Sequence, residues 1–203
     1  MKEFFYDWGG LNVWIFHQIN NIHGDILDKF MLAITAVASH KLFPIYLLIL
    51  CLIAMVALLK QPDNHFKNKS FWIGTIAVFC IAYLLDGSFV GMLKPLLDFP
   101  RPPLALPIET VHIVGEAEYH HSLPSGHSSF AMLVVASIWP LLIFSWQKYL
   151  AVLFVALVGV SRVSLGAHFP ADVMAGLISS LAIVLMVRWG IDKIMHLKFF
   201  KRQ

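Results

Sequence analysis

The sequence predicts an all-α, polytopic membrane protein built as a bundle of six transmembrane helices, and three observations carry that expectation. Of 203 residues, 59% are hydrophobic and 13% charged, roughly half the charge of an ordinary soluble domain, with a mean hydropathy of +0.74. Apolar runs recur at 26–39, 42–59, 71–93, 128–146, 148–160 and 171–190, close to the roughly 20 residues that a helix needs to cross a bilayer. Between the runs, polar residues gather in short islands: Lys94 with Arg101, Ser125-Gly126-His127, and Ser161-Arg162 followed by His168 and Asp172.

Taken in order, residues 1–24 lack the sustained apolar core of a cleaved secretory signal. Their aromatics Phe4, Phe5, Tyr6, Trp8 and Trp14 predict an interfacial segment with rings at headgroup level. Asp25, Asp28 and Lys29 mark a helix start at the membrane boundary, where acidic side chains suit the positive end of the helix dipole. The run that follows is short for a span. Cys51 and Cys80 lie inside the next two runs and read as packing residues, because they have neither disulfide nor metal-ligand spacing. Asp86 is costly in lipid and is expected to face the bundle, in a structural hydrogen bond first and as a partner in the active-site shell second.

After Lys94, the prolines at 95, 100, 102, 103 and 107 predict an irregular external loop over 94–123 that carries Arg101. Within it, His112, Glu116, Glu118, His120 and His121 read as solvated loop residues rather than a metal cluster. Pro124-Ser125-Gly126-His127 stands just before an apolar run, so it marks a helix N-terminus with Ser125 as N-cap, its amides aimed at any anion lying there. The run 148–160 reaches span length only by borrowing Ser161-Arg162. Pro170 suits the first turn of the last helix, which places Asp172 one turn in and able to reach back to His168. Residues 191–203 form a basic tail, and the whole chain, 1–203, is expected to be one membrane-embedded domain.

The formal net charge of +3 says little, but its distribution is asymmetric. Lys60, Lys67, Lys69, Lys148, Arg188, Lys193, Lys198, Lys201 and Arg202 share one side if the spans alternate, while Lys41, Lys94, Arg101 and Arg162 take the other. The positive-inside tendency makes the first side cytoplasmic and opens all three polar islands onto the opposite face.

Three cations, two imidazoles and a carboxylate suit the binding of a phosphate group and cleavage of its ester bond. Lys94, six residues, Arg101-Pro102; then Pro124-Ser125-Gly126-His127; then Ser161-Arg162, five residues, His168, three residues, Asp172: this ordered set resembles the three-part signature of the type 2 phosphatidic acid phosphatase superfamily, which is related to vanadium-dependent haloperoxidases. The resemblance implies a six-helix bundle and a site in which His168 attacks phosphorus, Asp172 orients it, and His127 serves as general acid and then base. It further implies that Lys94, Arg101, Arg162, Ser125 and the Gly126 amide hold the phosphate oxygens. No cofactor and no metal are expected.

A membrane lipid phosphate is the expected substrate, with undecaprenyl diphosphate first and phosphatidylglycerophosphate or phosphatidic acid second. The expected setting is a bacterial cytoplasmic membrane, with the site facing the periplasm or exterior and no nucleic-acid partner. A lipid A phosphatase or a lipid-to-lipid phosphotransferase would use the same residues. The haloperoxidases are soluble and larger, unlike this chain. An anion transporter predicts broken helices near the midplane and an internal repeat, and the sequence displays neither.

Overall fold

The computed structural model describes residues 6–60 and 69–200. A 3-10 turn at Trp8–Gly10 leads into α1 (Leu11–Asn20), followed by α2 (Asp25–Val37), α3 (Phe43–Lys60) and α4 (Lys69–Leu97). A single helical turn at Pro102–Ala105 interrupts the long connection to α5 (Gly126–Ile138), which precedes α6 (Ser145–Ser164) and α7 (Pro170–Phe200). No strand occurs among the described residues. Helices α2 to α7 fill the six apolar runs, and four stretches are long and apolar enough to cross a membrane: His40–Leu59, Lys69–Ala105, Ser145–Ser164 and Pro170–Met195.

The differences from expectation have local causes. α4 carries Pro95 in its last turn instead of stopping at Lys94, forgoing the one backbone bond that an N–H at that position would make to the Gly91 carbonyl. The run 128–146 is divided: α5 closes at Ile138, a 3-10 turn covers Trp139–Leu141, and α6 starts at Ser145. Pro140, which lacks an N–H, sits at that break. α6 gains its 20 residues by starting at Ser145 and absorbing Ser161 and Arg162. The expected tail at 191–203 is a continuation of α7 as far as Phe200. Phe4, Phe5, Lys67, Lys201 and Arg202 lie outside the described residues.

Burial follows the logic of lipid rather than water. α3 exposes Leu48, Leu52, Met55 and Leu59, α4 exposes Ile73, Leu84 and Met92, and α7 exposes Ile178, Leu185, Met186 and Trp189. An apolar belt of this extent on a soluble monomer would be an association surface. On helices of span length it is the surface that meets hydrocarbon, and the chain is a multi-pass membrane protein. Cys51 belongs to this exposed surface, not to the packed interior, and Cys80 is half-buried.

α5 is the central helix, packed against α4, α6 and α7. Phe130, Leu133 and Val134 join Phe79, Ala82 and Val184 in the main core, while Ala131 and Val135 meet Val155 and Val158 of α6. Small residues let the backbones approach, as they do where lipid supplies no hydrophobic drive between helices. Gly176 of α7 crosses the start of α5 so closely that a methyl there would stand 2.6 Å from the Ser125 carbonyl oxygen and 3.2 Å from the Ser129 nitrogen.

α1 does more than lie at an interface. Asn12, Phe16 and Asn20, one turn apart on a single face, are all buried. Asn12 Oδ1 accepts the Ala171 N–H in the first turn of α7 (2.9 Å). Asn20 Nδ2 donates to the Ser164 carbonyl at the end of α6 (2.9 Å) and to the His112 carbonyl (2.8 Å), and Asn20 Oδ1 accepts the His112 N–H (2.8 Å).

Gly176→Ala should cost about 1–3 kcal/mol by overpacking, read as a lower midpoint of thermal unfolding in detergent. Gly190→Ala, at a position with nothing within 4 Å, should leave the midpoint unchanged or raise it by the roughly 0.5–1 kcal/mol that glycine costs in a helix.

Candidate active site

The three polar islands converge because three helix ends and one loop meet on the same face. Lys94 sits in the last turn of α4 and Arg162 in the last turn of α6, while Gly126 opens α5 and Asp172 lies in the first turn of α7. Lys94, Arg101, Gly126, His127, Arg162 and His168 line one cavity of about 450 Å³. Ser125 and Asp172 stand behind its wall, with no solvent exposure.

His168 occupies the link between α6 and α7 and is 2% exposed. Its Nδ1 lies 3.3 Å from Asp172 Oδ2, and its Nε2 lies 3.4 Å from Arg101 Nη1. A carboxylate accepts and a guanidinium donates, so the proton belongs on Nδ1 and the Nε2 lone pair is presented toward the cavity. Burial pulls the His168 pKa down to about 4, Arg101 and Arg162 add to that effect, and Asp172 opposes it. The imidazole is therefore neutral at pH 7, the form that has a lone pair to give.

Asp172 is saturated with donors. Oδ2 accepts from Ser122 Oγ (2.5 Å) and the Phe169 N–H (2.8 Å) in addition to facing His168, and Oδ1 accepts the Tyr6 hydroxyl (2.8 Å). Its backbone carbonyl receives the Ser125 N–H at 3.0 Å. Ser125 takes the N-cap position with extended backbone but makes no side-chain capping bond; its Oγ accepts instead from Ser128 Oγ (3.1 Å).

Arg101 lies in the irregular link just before the Pro102–Ala105 turn, and its side chain is buried, 5% exposed. Its Nε donates to the His120 carbonyl (3.0 Å), Nη1 to the Ala167 carbonyl (3.2 Å), and Nη2 pairs with Glu118 Oε2 at 2.5 Å. The loop holds its shape through the Arg101 N–H to the Tyr119 carbonyl and the Ser122 N–H to the Phe99 carbonyl. Arg162 Nη1 donates to Thr35 Oγ1 (3.0 Å), while its Nε has no protein partner among the described residues. A second cavity of about 250 Å³ shares Arg101, Glu118, His127 and Arg162 with the first.

Five residues of the site escaped the sequence reading. Tyr6, placed there at headgroup level, is half-buried against Asp172. Glu118, read as merely solvated, pairs with Arg101. Ser122 reaches Asp172. His40 and Lys41 line the main cavity, and His40 Nε2 lies 3.0 Å from the Gly126 carbonyl. Ser39-His40-Lys41 was a fourth polar island between two apolar runs, and its position on the cation-poor face was the signal. Asp86 is wholly buried and accepts the Ser129 hydroxyl, the structural hydrogen bond expected of it. His112 pairs with Asp28 at 3.0 Å, and no group of residues able to hold a metal ion occurs among the described residues.

Known proteins share this architecture. The crystal structure of Aquifex aeolicus LpxE superposes with a TM-score of 0.68 at 23% identity, covering 87% of this chain and 94% of that one. That of a transmembrane PAP2 type phosphatidylglycerolphosphate phosphatase from Bacillus subtilis gives 0.65 at 24% identity, over 91% and 86%. In sequence, the undecaprenyl-diphosphatase BcrC of Bacillus subtilis (strain 168) is 24% identical over 184 residues, 85% of this chain and 80% of that protein. A Bacillus licheniformis protein described as the bacitracin transport permease protein BcrC is 32% identical over 131 residues, 63% of this chain and 59% of its own length. The PAP2 superfamily pattern itself matches residues 75–195, from α4 through the crossing of α5 and α7 to the end of the last span, and the chain belongs to that superfamily.

Proposed function

We propose that this protein is a membrane lipid phosphatase that removes the terminal phosphate of a lipid phosphate or diphosphate through a phosphohistidine intermediate. One observation carries the reading: a neutral His168, backed by Asp172, turns Nε2 into a cavity that Lys94, Arg101, Arg162 and His127 also line.

His168 Nε2 attacks phosphorus, the phosphorus–oxygen bond to the leaving group breaks (an ester in a monophosphate, an anhydride in a diphosphate), and the departing oxygen takes a proton from His127, which holds that proton against the charge of the bound phosphate. In the second half, His127 accepts a proton from water as the water oxygen attacks the phosphohistidine, which releases inorganic phosphate and restores His168. Arg101, Arg162 and Lys94 counter the charge on the nonbridging oxygens, with the unpartnered Arg162 Nε and the Gly126 amide as further donors. These cations take the part that divalent metal has in many phosphoryl-transfer enzymes, so turnover needs no metal.

The likeness to an undecaprenyl-diphosphatase over most of both chains favours undecaprenyl diphosphate as substrate, with phosphatidylglycerophosphate or phosphatidic acid second. The chain works as one domain, 1–203, of six spans in a bacterial cytoplasmic membrane. Cation asymmetry along the sequence favours a site on the periplasmic or exterior face, with residues 94–123 outside. Lipid enters from the bilayer, and no nucleic acid takes part.

Phosphate release from a panel of lipid phosphates and diphosphates, in detergent with EDTA, checks this reading. His168→Ala should lower the rate by about 10³-fold or more, and His127→Ala by about 10²- to 10⁴-fold. Equal rates for wild type and His168→Ala on every lipid would overturn it, and activity lost to EDTA and restored by magnesium would overturn the metal-free route. Since the nucleophile must be neutral, kcat/KM should fall with decreasing pH through a group near 4, the His168 value.

Glu118 sits on the end of Arg101 that a phosphate oxygen would use. Glu118→Gln removes a competing anion whose pairing, with Glu118 64% exposed, is of the surface class at about 0.2–1 kcal/mol. Vanadate inhibition should therefore tighten roughly 1.4- to 5-fold, measured as the inhibition constant at fixed lipid concentration.

A further inference from the structure

The segment before α1 reaches the centre of the site from 166 residues away. Tyr6 donates its hydroxyl to Asp172 Oδ1 at 2.8 Å, and among the described residues it is the donor that this oxygen has, whereas Oδ2 faces His168 Nδ1, Ser122 and the Phe169 amide. The phenol ring is fixed on both sides of the site. It stacks on Phe99 with centroids 4.3 Å apart and meets Phe169 edge-on at 6.0 Å. Phe99 belongs to the loop that carries Ser122, through the Ser122 N–H to Phe99 carbonyl bond (2.9 Å), and Phe169 is the neighbour of His168. A carboxylate with one oxygen undirected can rotate about its terminal torsion, which is broad; a donor on each oxygen removes that freedom.

We propose that Tyr6 is a positioning residue for the reaction: by holding Asp172 Oδ1 it keeps Oδ2 on His168 Nδ1, so the amino-terminal segment completes the active site. The inference rests on the phosphohistidine reading above. Burial, and next the Asp172 charge, push the phenol pKa well above its usual range, so Tyr6 remains a donor at every working pH. Without that hydrogen bond Oδ2 is free to leave Nδ1, the Asp172 contact that holds the His168 pKa up against burial weakens, and the His168 pKa falls. The other charged groups facing His168 stay in place: Arg101 and Glu118 from the loop, Arg162 from α6, His127 from α5 and Lys94 from α4.

The test compares Tyr6→Phe, which keeps the ring stack, with Asn12→Ala, which cuts a different bond between the same segment and α7. For Tyr6→Phe, kcat should fall roughly 3- to 10-fold with KM within about twofold, and the acid limb of kcat/KM should move down by about half to one pH unit. For Asn12→Ala, the unfolding midpoint should fall while the acid limb stays at the wild-type position. Titration of ring-labelled histidine by NMR, with His168 assigned from His168→Gln, reads the same shift in protein that does not turn over. An unmoved limb and an unmoved His168 titration in Tyr6→Phe would overturn the inference, as would an equal shift in Asn12→Ala. Should His168→Ala still hydrolyse lipid at the wild-type rate, the phosphohistidine reading itself fails, an outcome separate from either of these.

Discussion

The Ser125 amide donates to the Asp172 carbonyl at 3.0 Å, and this backbone contact joins the two motifs that the chemistry needs in one place. It forms because Gly176, one turn further along α7, leaves no side chain between the helices at their closest approach. Everything around the cavity is referred to this crossing. Gly126 and His127 follow directly from Ser125, and Asp172 on the other side of the bond holds His168 through its carboxylate. A bilayer offers helices no hydrophobic drive to associate with one another, so close backbone packing and interhelical hydrogen bonds carry such contacts. The position of the site is thus a consequence of how α5 and α7 pack.

Gathering Lys94, Arg101 and Arg162 around one cavity works against folding, because like charges repel and each loses water. Neutral acceptors do much of the compensating. The His120 and Ala167 carbonyls hold Arg101, and the Thr35 hydroxyl holds Arg162. Glu118 is the anion that comes closest to neutralising the group, and it comes from an exposed stretch of loop rather than from the buried frame. An arrangement fixed by carbonyls and one exchangeable carboxylate is already oriented toward an anion before one arrives. Preorganisation of that kind is the main source of electrostatic stabilisation in enzyme sites.

What was legible in the sequence divides along physical lines. The eight signature residues were picked out by their order and spacing in the chain, and the structure brings six of them, Lys94, Arg101, Gly126, His127, Arg162 and His168, around one cavity. Helix ends came through where a proline or a cap marked them, as at Ser125 and Pro170. The length of α4 did not, because a proline rule says nothing about how close to the end the proline sits. The partners of Tyr6 and Glu118 stayed hidden for a deeper reason. An aromatic near the membrane boundary and an acid in a polar loop have bland local meanings, and only the tertiary arrangement gives them Asp172 and Arg101 as partners. Cys51 shows the opposite limit, since in a membrane an apolar run does not say which of its sides faces protein.

α1 explains how such a site can sit at helix ends at all. A helix leaves four N–H groups free at its start and four carbonyls at its finish, and in an apolar setting each unsatisfied one is expensive. Water is the usual remedy, but water admitted behind the cavity wall would compete for the buried Asp172 carboxylate and weaken the contacts that orient His168. The chain uses asparagine instead. Asn12 takes an amide at the start of α7 and Asn20 takes a carbonyl at the end of α6, with Phe16 sealing the space between them against Phe169. Asparagine suits both tasks because one side chain both donates and accepts. This helix follows the segment that carries Tyr6, so the closing of the α6 and α7 ends and the hydrogen bond to Asp172 Oδ1 come from adjoining parts of the chain.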